Sequence, residues 1–389
     1  MENATKFPTR IKLIYKFGTL LGLPFPSYML HSLRKDVSSG SRIYCTLLIA
    51  FRLLVYLYTM LSVHNFSRFI ILSLFVNAYN SLSLISTLII IIKRKKIFKA
   101  VRNVYLLLWR RKAIIYHIDV YIIAACIATL NVIVTSTVTL YMYESHGEKV
   151  DAQTIFGHVL EYHLQKIHVY IHSCLVLISY SMDSLTMLFI SILSYEIISS
   201  LSDGVRAYRK SLIRKMVNTS DQISVREYIL GFRRIVDCVD SVESWIFLEY
   251  SVSHNIQCQF VLSDTKRPRN WVKYFQRQLL ASIVVSSIVS LVEFIAIAKS
   301  GIQLSKEEDA LKKLVTYFSE RSFLTNEDLT KEKISLPRLH SFSLLANTIR
   351  GTTIELTGGG MFALNNAFLL SVVGIMFTYG VLIFQFGRR

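Results

Sequence analysis

Residues 361–386 read M-F-A-L-N-N-A-F-L-L-S-V-V-G-I-M-F-T-Y-G-V-L-I-F-Q-F, without one charged side chain. As a helix rising 1.5 Å per residue, the run is about 39 Å long, enough to cross a hydrocarbon core of about 30 Å. Its polar residues fall in a pattern. At about 100° per residue, Ser371, Gly374, Thr378, Leu382 and Gln385 lie along one stripe. Small and polar groups on one stripe of an apolar span need a protected environment. The stripe either lines a wet pore or forms a helix-packing seam of small residues.

The rest of the chain has the same character. Of 389 residues, 52% are hydrophobic and 12% aromatic, and only 18% are charged, below the ~25% of a soluble domain. Apolar periodicity places further spans near 43–63, 68–92, 119–143, 168–198, 244–262 and 279–298. The fifth, W-I-F-L-E-Y-S-V-S-H-N-I-Q-C-Q-F-V-L, is short and polar beside the others. The fold class expected is all-α: a polytopic membrane protein of seven transmembrane helices. No internal repeat of the transporter kind is visible. Five scattered cysteines form no CxxC or disulfide framework, and no cleavable signal peptide is expected.

The net charge of +18 is distributed as membrane topology rather than as a groove for nucleic acid. Residues 93–112 and 206–234 are heavily basic, whereas 144–166 carries Glu144, Glu148, Asp151 and Glu161. Lys and Arg accumulate on the cytosolic side, so the N-terminus is expected in the cytosol and the C-terminus outside. The basic loop 263–278 runs against this assignment. Residues 299–350 alternate charge and apolar groups at helical spacing, as in K-E-E-D-A-L-K-K-L-V-T-Y-F. Spans four and six are therefore expected to continue as helices into a cytosolic bundle.

Such an orientation is opposite to that of a G-protein-coupled receptor. The Asp/Glu-Arg-Tyr and Asn-Pro-x-x-Tyr sequences of those receptors are absent, as are nucleotide loops, metalloprotease motifs and nucleophile elbows. No enzyme, cofactor, metal or G-protein role is expected.

Thr378-Tyr379, five residues, then Gln385-Phe386 resembles the signature that closes the last span of insect gustatory receptors. Gly359-Gly360-Met361-Phe362-Ala363-Leu364-Asn365 is similar to the core of that family's last helix pair. The resemblance is specific over roughly the last 50 residues and one of architecture elsewhere. It implies a ligand-gated, non-selective cation channel of four subunits, homomeric or mixed with related receptors. The final helices would line a pore in the plasma membrane of a chemosensory neuron. Gln385 and Phe386 would lie near the extracellular constriction, with Leu382, Thr378 and Ser371 along the same path. Gly380 stands where the sugar-sensing branch tends to have Glu, which favours a non-sugar tastant. A non-conducting subunit that needs partners is the alternative.

On this reading the chain divides into a cytosolic segment 1–42, a ligand-binding bundle 43–198 and a cytosolic linker 199–243. Spans five and six at 244–298, a cytosolic anchor region 299–357 and the pore-lining helix 358–389 follow. The ligand pocket should be concave and mostly apolar. Candidates for its few polar groups are Thr135, Thr139, Tyr143, His172, Ser173 and Tyr180, each of which is equally an ordinary packing residue. Arg52, Asp183 and Glu293 interrupt spans. A charge at mid-membrane costs at least ~2.5–3.5 kcal/mol, so each needs a partner or water. Arg52 and Asp183 fall at similar depth and either pair or face separate hydrated cavities. His168 and His172, four residues apart, could hold a metal or a proton, but a polar cap explains them as well. Asn65, in N-F-S, is a glycosylation candidate if it faces outside.

The orientation is open to direct measurement. Epitope tags at the two ends should stain differently in intact cells: the C-terminal tag without permeabilisation, the N-terminal tag only after it.

Overall fold

The computed structural model describes residues 16–22, 39–63, scattered positions from 81 to 104, 133, 154–155, 158–159, 162–217, 226–240, 242, 270–328, 336–354, 356–357 and 363–386. Span three, apart from Ile133, span five and residues 263–269 of the basic loop lie outside these residues; the loop's remaining residues, 270–278, are helical. So do Thr135, Thr139, Tyr143 and Asn65.

Six helices organise the described residues. Helix α1 is Ser39–Val63, α2 is Tyr162–Val217, α3 covers 226–240, α4 is Asn270–Asp328, α5 is Leu336–Arg350 and α6 is Asn366–Phe386. The described positions between 81 and 104 are helical as well. Helices α2 and α4 have 56 and 59 residues and contain no proline. At 1.5 Å per residue they are about 84 and 88 Å long, far more than a bilayer of about 30 Å requires. Both therefore run unbroken past the ends of spans four and six, as the periodicity of 299–350 led us to expect. Pro268 stands just before α4, where it cannot interrupt the backbone ladder, and Pro337 sits in the first turn of α5, where its missing N–H costs nothing.

The structure departs from the sequence reading in two places. A short antiparallel pair, β1 (Thr154–Ile155) with β2 (His158–Val159), was not read from the sequence, although the class stays all-α. The last helix starts at Asn366 rather than 361. Thr357 pairs with Ala363 in an antiparallel bridge, and the Leu364 N–H donates to Leu356 O at 2.9 Å. These bonds commit the backbone of Ala363 and Leu364 to 356–357, so the helix does not include them.

The core lies where the extended helices meet. Leu201, Val205, Tyr208 and Leu212 recur at steps of four, three and four on α2, and all are fully buried. Phe232, Ile235, Val239 and Val242 do the same along α3 and just beyond it, Leu304, Leu311 and Val315 on α4, and Leu345 and Ile349 on α5. This is the apolar stripe of a helical bundle. Tyr208 fixes the α2–α3 pairing: its ring meets Tyr228 and Phe232, and its hydroxyl donates to Tyr228 O at 3.1 Å. Burial, and to a lesser degree Asp237, pushes the Cys238 thiol up to about 12, which leaves it an inert packing group. At the other end Gly22, at φ 83°, turns the N-terminal segment under α1. There Tyr44 Oη donates to Leu20 O at 3.0 Å, and Phe17 packs on Phe189 of α2.

Helices α2 and α4 run parallel and are tied at two levels. Ser191 Oγ donates to Glu293 Oε2 at 2.9 Å. Further along, Glu307 accepts from Arg206 Nε at 2.6 Å and from Arg209 Nη2 at 2.9 Å, one carboxylate oxygen each. Asp203 supports Arg206 at 3.6 Å. Charge-assisted bonds of this kind are about twice as strong as neutral ones.

Replacing Glu307 by Ala removes the shared acceptor of two guanidinium groups and leaves Arg206 with Asp203. Fully buried pairs lose ~3–5 kcal/mol when broken, but the arginines are 30% and 27% exposed, so we expect on the order of 2–3 kcal/mol. The melting temperature of the purified protein should fall, while Asp309→Ala, at an exposed position two residues on, should leave it unchanged.

Candidate functional site

Two features stand out from the packing. The first is a polar crossing inside the bundle. Arg52 of α1 is 3% exposed and its Nη1 donates to Thr87 Oγ1 at 3.2 Å and to Thr186 Oγ1 of α2 at 3.3 Å. Thr186 can accept because its own hydroxyl hydrogen is committed to Met182 O at 2.7 Å. One turn along α1, Tyr56 and Ser81 share a hydrogen bond of 2.7 Å. A single side chain thus joins α1, the helical positions near 87 and α2.

Asp183 stands on α2 three residues before Thr186, hence on the same face one turn away. Its side chain, and those of His172, Ser173 and Tyr180, lie outside the described residues, although the helix backbone carries all four. Residues 172 and 180 share a face of α2 with 183 to within about one helical step. Ser191, the partner of Glu293, and Thr87 and Thr186, the acceptors of Arg52, were not distinguished by the sequence from other hydroxyl residues.

The second feature is α6. Asn365 caps it, its Oδ1 accepting from Phe368 N at 2.9 Å. The first turn docks on α4: Phe368 meets Phe294 edge to face, with centroids 5.9 Å apart. Beyond that turn the helix is covered on one flank only, by way of Phe368, Leu369, Val372 and Val373. Ala367, Leu370, Ser371, Gly374, Phe377 and Thr378 are all exposed, Leu370 by 71% and Phe377 by 74%. Among the described residues, nothing beyond the helix's own backbone and the adjacent residues lies within 4 Å of where a Cβ on Gly374 would stand. The stripe found in the sequence is therefore the uncovered face of the helix, as far as its side chains are described. Tyr379, Leu382, Gln385 and Phe386 continue α6 in backbone, with side chains outside the described residues.

Two hydroxyls on this face satisfy themselves. Ser371 Oγ donates to Ala367 O at 2.9 Å and Thr378 Oγ1 to Gly374 O at 2.8 Å. Back-bonding to the preceding turn leaves each oxygen with a lone pair outward and no stranded hydrogen. Such a surface tolerates lipid, a second apolar helix or water.

Comparison with known proteins places the chain. A family model described as 7tm Chemosensory receptor matches residues 11–388. The insect olfactory receptor OR5 from Machilis hrabei has a similar fold, with a TM-score of 0.61 at 14% identity over 97% of this chain and 98% of that one. The same receptor in complex with eugenol gives a TM-score of 0.60 at 13% identity over the same shares. No curated protein matches. With nearly the whole chain matched, it belongs to the 7tm chemosensory receptor family: a multi-pass, seven-transmembrane membrane receptor, not an enzyme.

The Arg52 crossing has a consequence for assembly. Arg52→Ala removes a hydrogen bond to each of two buried threonines, and Asp183→Ala removes the carboxyl residue three positions before one of them on α2. If Arg52 and Asp183 pair, each single change should lower surface expression and the Arg52→Asp/Asp183→Arg exchange should recover part of it. Additive losses in the exchange, read by surface biotinylation, would show that they do not meet.

Proposed function

We propose that this chain, as a member of the chemosensory receptor family, is a gustatory-type receptor and itself a ligand-gated, non-selective cation channel of four subunits in the plasma membrane of a sensory neuron. The observation that carries the reading is the one-sided docking of α6. An apolar helix with its Ser371–Gly374–Thr378 face uncovered in a single chain requires other copies or lipid around it. Four such faces around an axis would give a lining of small and polar groups. The Thr378-Tyr379 and Gln385-Phe386 signature places the gustatory class ahead of the olfactory one.

The ligand is a small molecule held in the bundle formed by the first four spans. Support comes from the similar olfactory receptor being seen with eugenol, a small aromatic molecule. Gly380 favours a non-sugar tastant. Ligand binding would shift α2, and the α2–α4 ties would pass the shift on to the helix that docks on α4. No G protein enters this scheme. A non-conducting subunit remains the second reading, because the same exposed face would serve equally well against α6 of a different receptor.

Purified protein in lipid vesicles decides between them. Excised patches should show ligand-evoked cation current without GTP. A chain that reaches the surface and binds ligand, yet conducts only with a related receptor, is the partner-dependent subunit.

Phe386 gives a sharper test of the pore. Four such rings at one level would form an apolar constriction that hinders ions when shut. Phe386→Ala should raise ligand-independent current several-fold at equal surface expression. An unchanged basal current would move the gate to Leu382.

A further inference from the structure

Gly301 lies in the middle of α4, where glycine costs about 1 kcal/mol relative to alanine. Something must offset that cost. A Cβ built at this position would stand 3.0 Å from Leu364 Cβ, 3.4 Å from Leu364 Cδ1 and 3.4 Å from Leu364 O. The absence of a side chain thus admits both the side chain and the backbone of the residue just before the last helix.

Leu364 is held from both sides. Its N–H is bonded to Leu356 O, and its neighbour Ala363 is bridged to Thr357. On the other side Asn365 caps α6 and accepts from Leu369 N at 3.1 Å. A push on Leu364 is therefore passed to the helix start rather than absorbed by a loose loop. Seven residues before Gly301, and so on the same face of α4, Phe294 meets Phe368. The two contacts are two turns apart on α4 and one turn apart along 364–368. Two points fix a line: they set how the first turn of α6 lies against α4.

The adjoining face of α4 carries Glu293 and Glu307, both bonded to α2. Glu293 and Phe294 are consecutive, so the tie to α2 and the contact with α6 leave the same turn of α4 in different directions. This stretch of α4, in contact with α2 on one side and with α6 on the other, is a route by which a displacement of α2 reaches α6.

We propose that Gly301 is a positioning residue: a socket on α4 that receives Leu364 and makes the last helix follow the α2–α4 pair. The claim concerns the placement of α6 and stands whether or not the chain conducts. Its effect on current rests on the channel reading above.

The experiment separates the two. Spin labels at exposed positions, on Lys299→Cys in α4 and Ile375→Cys in α6, report the spacing of the helices. The native cysteines are replaced and the labelled chain is diluted with unlabelled copies. Gly301→Ala should shift the measured distance, and Gly301→Ala/Leu364→Gly, which removes the nearest colliding atom, should bring it back. Gly301→Ala with an unshifted distance distribution would overturn the proposal. So would a shift that Leu364→Gly fails to reverse while the double variant melts like wild type. In a conducting preparation, Gly301→Ala should also change the half-maximal ligand concentration for current about fivefold or more at unchanged ligand binding. A wild-type chain that carries no current would remove the channel reading and leave the distance measurement to decide this one.

Discussion

Everything in the described structure hangs from the parallel contact of α2 with α4. Glu307 is its strongest element, because one carboxylate takes two guanidinium donors from successive turns of α2. The geometry admits no slip. Shifting α4 by one residue along its axis moves the carboxylate about 1.5 Å and turns it by about 100°, away from both arginines. The apolar stripe alone would tolerate a shift of a whole turn, since leucines and valines recur on both helices at similar spacing. The ion cluster therefore supplies register where hydrophobic burial supplies cohesion, a role attested for buried polar groups in coiled coils. Ser191 and Glu293 repeat the device at a second level, and Ser202 lies between the two levels with its buried hydroxyl unbonded.

That register decides what the last helix can feel. Helix α6 is strongly apolar and, as far as its side chains are described, covered on one side only, so its place is not fixed by a core of its own. It takes its position from its first turn, where Asn365 starts the helix, Phe368 meets Phe294 and Leu364 rests on Gly301. The remaining turns are free to be shaped by lipid or by other copies. A receptor that must move its last helix in response to a ligand bound elsewhere needs this division: firm attachment at one end, and a face left uncommitted along the rest.

Much of this was legible in the sequence, for a physical reason. Helical periodicity is local, so the stripe Ser371–Gly374–Thr378 could be read from seven consecutive turns of apolar residues; in the structure these three positions are exposed. The continuity of α2 and α4 followed from the lack of prolines and from the amphipathic 299–350 segment. Partnerships between distant residues were not legible. Arg52 plainly needed an acceptor, yet Thr87 and Thr186 lie 35 and 134 residues away and look like any other threonine. The start of α6 was misplaced by five residues because the apolar run continues through Ala363 and Leu364, whose backbone is already bonded to 356–357.

The charged segment K-E-E-D-A-L-K-K shows how pattern and environment separate. Read along the chain, Glu307 and Glu308 belong to a solvated, charge-laced helix face, the ordinary meaning of such a run. In the structure both are buried, Glu308 at 3% exposure with Lys312 and Glu307 with two arginines from another helix, while of the three carboxylates only Asp309 faces out, as Lys306 and Lys313 do. The clue was on the other strand of the argument: 206–234 is so rich in Lys and Arg that a helix packed against it must bring carboxylates to it. Positive charge concentrated on one side of a membrane sets topology, but inside a bundle the same charge must be neutralised. Gly301 was silent for the opposite reason. A glycine within a helix reads as a weak point until the residue that fills its missing volume, Leu364, arrives from 63 positions further on.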